Sequence, residues 1–491
     1  MGTASVVVQN SPLDIPVIRR EPRIAETPQN LNRAALYRRF ADKLVVNPDL
    51  NRALISFQAN KDQPFYRWLK FKEAFSSEFV QYILKKFNPH TDSIPHVLDP
   101  FSGAGTTLTT ATRAGWQATG IELLPVGTAA IRARLTADTV DTKRFEYHLR
   151  RLEAFSLEQP ASQGFHFPHL RITTHAFPEQ TEQALSAYVE FLNGIEKKDV
   201  RQLFWFACFS ILEEVSYTRK DGQYLRWDSR SGRALKSDFH KGHIQEFRPA
   251  ILTKLRIMLQ DLKKRNGGTF SRSVEVIEGS CFEELPGLAD SSFHLVVTSP
   301  PYCNRYDYTR TYALELAFLG YDEEELKTLR QTLLSATVEN RTKQEALARE
   351  YHSRNRGEFY TKCVETFTNQ QALQEVIRLL HEARERGRLN NNSIPEMVEN
   401  YFFEMNIVIH EIARVLAPGG WVVMVNDNVQ YNGEEVPADL ILSDFAVSAG
   451  LSADQIWVLP KGKGNSSQQM GVHGRNELRK CVYVWSKQET G

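Results

Sequence analysis

Two short strings in this sequence combine residue types that can hold a ligand and act on it. The first, DPFSGAGTT at residues 99–107, places Gly103 and Gly105 between a predicted strand and a predicted helix. Glycines let the backbone approach a ligand closely, and the N-terminus of the helix leaves N–H groups free to donate. Glu122 ends the next predicted strand, where a carboxylate can accept hydrogen bonds from ribose hydroxyls. Leu108 stands where a dinucleotide fingerprint has its third glycine, so a dinucleotide is disfavoured.

The second string is TSPPY at residues 298–302, which ends an apolar predicted strand. Pro300 and Pro301 fix the backbone and remove N–H donors, so that carbonyls point outward. An exocyclic amine on a nucleobase is a poor nucleophile because its lone pair is delocalised into the ring. Acceptors on its protons can free that lone pair for in-line attack on an electrophilic methyl group. We therefore predict that Ser299 Oγ and the Pro300 carbonyl are acceptors and that Tyr302 stacks on the base.

The elements around these strings predict one parallel α/β sheet. The string at 99–107 lies in a β-turn-α-β unit, which is the building block of such sheets. A helix with one apolar face is predicted over 66–87, with Ser76 or Ser77 as its N-cap. The predicted strands lie at 97–98, 118–121, 274–279, 293–302, 421–427, 456–462 and 480–486, the last two forming a closing hairpin.

Composition excludes several classes of protein. The 491 residues are 42% hydrophobic and 24% charged with a net charge of +1, which is typical of a globular protein rather than a uniformly basic nucleic-acid binder. The five cysteines form no CxxC pair, so neither a zinc knuckle nor a disulfide framework is expected. Neither a signal peptide nor a membrane span is predicted, and we expect no metal and a cytoplasmic location.

The two strings resemble motifs I and IV of the amino-methylating DNA methyltransferases. The serine form, TSPPY, is similar to the enzymes that methylate N4 of cytosine, whereas N6-adenine enzymes more usually carry aspartate or asparagine. The resemblance implies a Rossmann-like class I sheet of seven strands, the last antiparallel, with two mainly helical inserts. It also implies S-adenosylmethionine as methyl donor, S-adenosylhomocysteine as product and a flipped-out cytosine in double-stranded DNA as target. A restriction-modification or defence role, a cognate restriction endonuclease and a nucleoid location in a bacterial or archaeal cell follow as expectations.

The resemblance also assigns cofactor residues. The string at 70–84 resembles motif X beside the methionine end of the cofactor, Glu122 matches the acidic residue of motif II, and residues 280–281 fall where motif III flanks the adenine. The expected cofactor residues are Phe75, Asp99, Pro100, Phe101, Ser102, Gly103, Gly105, Thr106, Thr107, Glu122, Ser280, Cys281 and Ser299.

The order of the motifs resembles the α arrangement, in which the target-recognition region lies between motifs I and IV. The predicted divisions are an N-terminal arm (1–45), a cofactor-binding core (46–135), a target-recognition insert (136–270), a catalytic core (271–319), a helical insert (320–395) and a closing core (396–491). The role of the helical insert is left open between a lid and a DNA-clasping arm.

Basic and aromatic residues in two segments predict the DNA contacts. Between residues 218 and 243, seven Lys or Arg stand against three Asp, and arginines can bind phosphates or guanine edges. The segment after TSPPY is expected to hold the flipped base or its neighbouring phosphates. The basic loop at 461–480 is expected either to clamp backbone phosphates or to be an ordinary hairpin loop. The predicted DNA contacts are Arg219, Lys220, Tyr224, Arg226, Trp227, Arg230, Arg305, Tyr306 and Arg310.

Three other functions remain open at this stage. An N6-adenine DNA methyltransferase would share the fold, and the same turn could activate a nitrogen of RNA or of a protein amide. A non-catalytic DNA-binding subunit could keep the fold as a scaffold, although both central motifs are intact.

Overall fold

The computed structural model describes residues 12–13, 30–72, 74–89, 91, 93–158, 165–221, 224–235, 238–265, 273–460 and 478–489. Most of the predicted arm and residues 461–477 of the predicted basic loop lie outside these ranges. The side chain of Tyr224 also lies outside what the structure describes.

The strands of the described residues belong to one central sheet and two small ribbons. They are β1 (Leu44–Val46), β2 (His96–Asp99), β3 (Gln117–Glu122), β4 (Thr218–Asp221), β5 (Tyr224–Trp227), β6 (Val274–Glu278), β7 (Phe293–Thr298), β8 (Leu416–Asp427), β9 (Val429–Tyr431), β10 (Glu434–Val436), β11 (Ser452–Val458) and β12 (Lys480–Ser486).

The central sheet has the order β1-β11-β12-β8-β7-β2-β3-β6. All neighbours are parallel except β12, which is antiparallel to both β11 and β8. The expected Rossmann-like methyltransferase sheet is therefore present, with its last strand reversed. The sheet has eight strands rather than seven because β1 adds to the edge, where Leu44 pairs with Ile456.

The described helices flank this sheet and fill the two inserts. They are α1 (Leu31–Phe40), α2 (Ser77–Lys86), α3 (Thr106–Arg113), α4 (Pro125–Thr139), α5 (Thr142–Ala154), α6 (Glu179–Asn193), α7 (Lys198–Ile211), α8 (Phe247–Lys263), α9 (Cys281–Glu284), α10 (Tyr308–Thr311), α11 (Ala313–Phe318), α12 (Glu323–Thr332), α13 (Gln344–Ser353), α14 (Gly357–Asn369), α15 (Gln371–Glu385), α16 (Ile394–Val415) and α17 (Ala438–Ser448).

Alternation along the strands gives the sheet two buried faces. Val97 and Leu295 face the core beneath α2 and α3, whereas Leu98 and Val296 face the core that holds α16 and α17. A strand buried on both faces reads as a continuous apolar run, which is why β7 was recognisable in the sequence. A third core lies within the first insert, between α4 and α8, and includes α11.

The N-terminal region differs from the sequence expectation. Residues 31–46, predicted as part of an arm, form α1 and β1, and Leu36, Tyr37 and Phe40 are buried against the main core. The predicted helix over 66–87 begins only at Ser77, because Ser76 caps it by accepting from the Phe79 N–H at 3.1 Å. Before this cap, Tyr66–Trp68 form a short 3₁₀ helix, and Phe71 reaches the cavity described below.

The inserts enter at two strand ends. The first follows α4, between β3 and β6, and carries α5 to α8 with the β4–β5 ribbon; the second lies between β7 and β8 and carries α12 to α15. No helix in the described part of the chain is long and apolar enough to cross a membrane. The five cysteines are buried free thiols, and no three His, Cys, Asp or Glu among the described residues are grouped so that they could hold a metal ion.

Candidate active site

The two strings meet at the carboxyl edge of the sheet. They end the neighbouring parallel strands β2 and β7, which pair through Val97 with Leu295 and through Leu98 with Val296. The hydroxyl of Thr298 donates to Asp99 Oδ1 at 2.7 Å, in a fully buried contact. The first residues of the two strings are thus joined by a direct hydrogen bond, although 199 positions separate them in sequence.

The glycine turn is held by its own backbone and by β3. Ser102 N–H donates to the Ile121 carbonyl at 3.0 Å, and Ser102 Oγ donates to the Asp99 carbonyl at 2.8 Å. Gly103 has φ +51°, a conformation that favours glycine, and a Cβ there would lie 3.1 Å from the ring of Phe71. Gly105, at φ +74°, is the N-cap of α3. The turn therefore requires glycine for its shape and for the space beside Phe71.

Glu122 lies beside this turn as a buried carboxyl group. Its Oε1 accepts from Leu124 N–H at 2.7 Å, and its Oε2 accepts from Gly103 N–H. Burial raises the pKa of Glu122 to about 8 and that of Asp99 to about 6. Carboxyl groups with shifted pKa values at a strand edge are candidates for a functional site.

A cavity opens beside the glycine turn. Its wall contains seven residues predicted from sequence to bind cofactor or catalyse: Pro100, Phe101, Gly103, Glu122, Ser280, Cys281 and Pro301. The walls are mainly apolar, and the Glu122 carboxyl supplies a polar group that could accept from ribose hydroxyls.

Seven predicted cofactor residues do not line the cavity: Phe75, Asp99, Ser102, Gly105, Thr106, Thr107 and Ser299. Thr107, for example, donates to the Val297 carbonyl at 3.3 Å and ties α3 to β7. Phe75 packs on Phe79 in the core under α2, with ring centroids 5.4 Å apart. Phe71, four residues earlier in the same string, lines the cavity where Phe75 was expected.

Besides five residues that adjoin predicted ones (Ile121, Leu123, Leu124, Gly279 and Phe282), three parts of the wall were missed by the sequence analysis. Phe71 lies within the motif X-like string, in which Phe75 was the residue predicted to contact the cofactor. Tyr308 follows TSPPY closely and was passed over for its neighbours Tyr306 and Arg310. Residues 332–334 come from the second insert, where no local pattern distinguishes them from the rest of α12 and its end.

Ser299 lies at the end of β7 with two hydrogen-bonding neighbours. Its Oγ is 3.2 Å from the Tyr302 hydroxyl and 3.2 Å from the carbonyl of Val425 on β8. If the serine proton is donated to Val425, the oxygen lone pairs remain able to accept. Tyr302 is only 7% exposed, and the ammonium of Lys480 lies 5.7 Å from its ring centroid. A base can stack on this face of Tyr302 only when Lys480 moves.

The β4–β5 ribbon carries predicted DNA contacts in several environments. Arg219 is exposed, and Arg226 pairs with Asp221 at 3.2 Å while lying over the ring of Phe239. Arg230 donates through two nitrogens to Asp228, which organises the turn after β5. Trp227 is half-buried beneath the guanidinium of another arginine, Arg233.

Lys220 corrects one prediction. Its side chain is 3% exposed, so it cannot reach a phosphate in this structure. The ammonium instead pairs with Glu315 and lies 3.7 Å from Glu213. Burial opposes its charge, but the two carboxylates outweigh burial and raise the pKa of Lys220 above its usual value. Positive charge in a basic stretch did not imply exposure here.

The segment after TSPPY is tightly organised. Arg305 has φ +67° and donates to Asn390 Oδ1 at 3.2 Å, which joins this segment to the second insert. Tyr306 is 4% exposed and packs edge-on against Tyr308 at 4.7 Å. Arg310 pairs with Asp307 and with Glu339 at 2.7 Å. These residues border the cavity through Tyr308, but each is already engaged within the protein.

Comparison with known proteins decides the family. The chain is 44% identical to the Type II methyltransferase M.AvaI of Nostoc sp. over 465 residues, 92% of each chain. The same identity and coverage are found with the Type II methyltransferase M.AvaI of Anabaena variabilis. M.BsoBI of Geobacillus stearothermophilus, also a Type II methyltransferase, is 39% identical over 458 residues, 89% of this chain and 88% of its own. The chain belongs to the Type II methyltransferases. No protein-family model matches it.

Membership of this family identifies the chain as an S-adenosylmethionine-dependent DNA methyltransferase of the restriction-modification kind. The residues around the cavity fit this cofactor. The buried Glu122 carboxyl can accept from ribose hydroxyls, and the backbone turn at Gly103 borders the cavity without a side chain. Sequence reasoning thus reached the family, the fold and the cofactor.

Proposed function

We propose that this methyltransferase transfers a methyl group to the exocyclic N4 of a cytosine flipped out of double-stranded DNA. The observation that carries the proposal is the direct bond between Thr298 and Asp99, which places the TSPPY turn beside the glycine turn at one cavity. S-adenosylmethionine supplies a methyl group on a positively charged sulfur, which a nitrogen lone pair can attack in line. The chain supplies the groups that make the nitrogen nucleophilic.

Ser299 Oγ and the Pro300 carbonyl are the proposed acceptors for the two protons of the amine. Accepting those protons draws the nitrogen toward tetrahedral geometry and frees its lone pair, without any covalent bond to the enzyme. Pro301 lines the cavity and holds the turn toward it. The serine in TSPPY supports cytosine over adenine through its likeness to the N4-cytosine enzymes.

The proposed DNA interface includes the exposed face of the β4–β5 ribbon, with Arg219 and Arg226 as phosphate or guanine contacts. The first insert, which bears this ribbon, is the proposed target-recognition region. Arg305 and Arg310 are proposed to contact phosphates near the flipped base once they release their present partners. A restriction endonuclease that cuts the same site is the proposed functional partner.

The test is nucleoside mass spectrometry on plasmid DNA from a methylation-deficient host that expresses the full chain. N4-methylcytosine is expected with the wild-type protein and should be lost with Ser299→Ala. N6-methyladenine in its place would overturn the choice of base. The absence of any methylated nucleoside from a protein that binds DNA would support a non-catalytic subunit instead. Transfer of labelled methyl groups to RNA or protein pools, but not to DNA, would move the substrate to another class.

A further inference from the structure

The two faces of strand β4 have different surroundings. Along Thr218–Asp221, buried and exposed residues alternate, so that Arg219 points outward and Lys220 points inward. Such alternation is the normal period of a strand. The outward face belongs to the proposed DNA interface, whereas the inward face meets the elements that line the cofactor cavity.

Lys220 is held there by charge and by an aromatic ring. Its ammonium bonds to Glu315 on α11 and lies 3.7 Å from Glu213, and it lies 4.8 Å from the ring centroid of Tyr312. The cation–π attraction between an ammonium group and an aromatic ring is strongest when the pair is shielded from water, and Lys220 and Tyr312 are both buried. Lys220 therefore fixes Tyr312 relative to the ribbon.

Tyr312 in turn fixes a wall of the cavity. Its ring stacks on that of Phe71 with centroids 5.3 Å apart and an interplanar angle of 19°, and its hydroxyl accepts from Lys72 N–H at 2.7 Å. Tyr308, which also lines the cavity, lies nearly parallel to Tyr312 at 6.5 Å. Two of the four aromatic rings in the cavity wall, Phe71 and Tyr308, thus pack against one buried tyrosine.

We propose that Lys220 and Tyr312 are positioning residues for S-adenosylmethionine, holding the Phe71–Tyr308 wall of the cavity against the inner face of the recognition ribbon. Neither residue lines the cavity, so they act through Phe71 and Tyr308. The inference rests on the assignment of this cavity to the cofactor. It gives the ribbon two roles: the outer face contacts DNA and the inner face shapes the cofactor site.

The test is titration calorimetry of the full chain with S-adenosylhomocysteine. Lys220→Met should weaken binding about tenfold, within the usual range of coupling between neighbouring sites, and Lys220→Arg should restore most of the affinity. The KM for S-adenosylmethionine should rise more than kcat falls. The control is Arg33→Met, since Arg33 is a buried cation with two carboxylates, Glu375 and Glu434, on the α1 side of the protein. It should lower the melting temperature but leave affinity for S-adenosylhomocysteine unchanged.

The outcomes separate this inference from the cofactor assignment itself. If Gly103→Leu leaves S-adenosylhomocysteine binding intact, the cavity is not the cofactor site and both claims fail. If Gly103→Leu abolishes binding while Lys220→Met binds like wild type, the positioning role alone is overturned. Should Lys220→Met fail to fold, Tyr312→Phe decides, because it removes only the hydroxyl that accepts from Lys72. Folded Tyr312→Phe is expected to bind about threefold more weakly, and wild-type affinity would contradict the proposal.

Discussion

The carboxyl edge of the sheet and the β4–β5 ribbon differ in how well the local sequence predicts the roles of their residues. At the edge, residues 99–107 and 298–302 are locally distinctive, and the fold joins them through buried hydrogen bonds. On the ribbon, a run of positive charge is divided by strand alternation into an exposed Arg219 and a buried Lys220. A turn that requires glycine or proline can be recognised from the local sequence alone. The role of a charged side chain depends on the residues that pack against it in the fold.

The largest effect is expected from a substitution of Ser299 in the TSPPY turn at the sheet edge. Ser299→Ala should lower kcat about 10²–10³-fold, the usual loss for one group that stabilises a transition state. Affinity for S-adenosylhomocysteine should stay within about twofold of wild type, because Ser299 does not line the cavity. Single-turnover methyl transfer and calorimetry measure the two quantities. Unchanged turnover would remove Ser299 from the mechanism.

Next in size is a change to the glycine turn. Gly103→Leu should weaken S-adenosylhomocysteine binding by about 10²-fold or more, because a side chain at φ +51° is strained and meets Phe71. Gly115→Ala is the matched control: its φ is +85° but no atom lies within 4 Å of the added Cβ. It should cost about 1 kcal/mol of stability and leave binding unchanged. Equal binding losses in both variants would mean that strain, rather than the cavity, sets the affinity.

A smaller effect concerns the charge of Glu122. Its pKa in the folded protein is raised from 4.5 to about 8, so the unfolded chain loses its proton first as pH rises. The contribution of Glu122 to the free energy of unfolding without cofactor is therefore complete below pH 4.5. It is lost progressively as the pH rises to about 8. Glu122→Gln should flatten part of that fall in melting temperature, the remainder belonging to Asp99. It should also weaken S-adenosylhomocysteine binding about tenfold, since one acceptor is lost. A pH profile identical to wild type would contradict the buried carboxyl.

The smallest effect separates the arginines of the ribbon. Arg219→Gln should reduce the slope of log affinity for DNA against log salt by about 0.9, the value for one phosphate contact. Arg230→Gln should change this slope less and lower the melting temperature more, because Arg230 is bonded to Asp228 within the protein. Fluorescence anisotropy at several salt concentrations gives both slopes. Equal changes in the two slopes would mean that Arg230 leaves Asp228 to bind DNA.

The sequence was sufficient for the parts of the fold and site that local chemistry dictates. The strands around Val97, Ile121 and Leu295 were visible as apolar runs, and the Ser76 cap and the reversed last strand were predicted correctly. Seven of the predicted site residues line one cavity. Residues 332–334 were not predictable, because their place in the wall depends on how the second insert packs. Phe75 and Phe71 differ only in which ring faces the cavity, and this depends on the irregular backbone before Ser76.

The most direct test of the central claim is a crystal structure of the protein with S-adenosylhomocysteine. The product sulfur should lie between the Gly103 turn and Pro301, with the ribose hydroxyls donating to Glu122. Binding in the neighbouring groove lined by Trp205 and Tyr321, with the cavity beside the glycine turn left to solvent, would contradict the account.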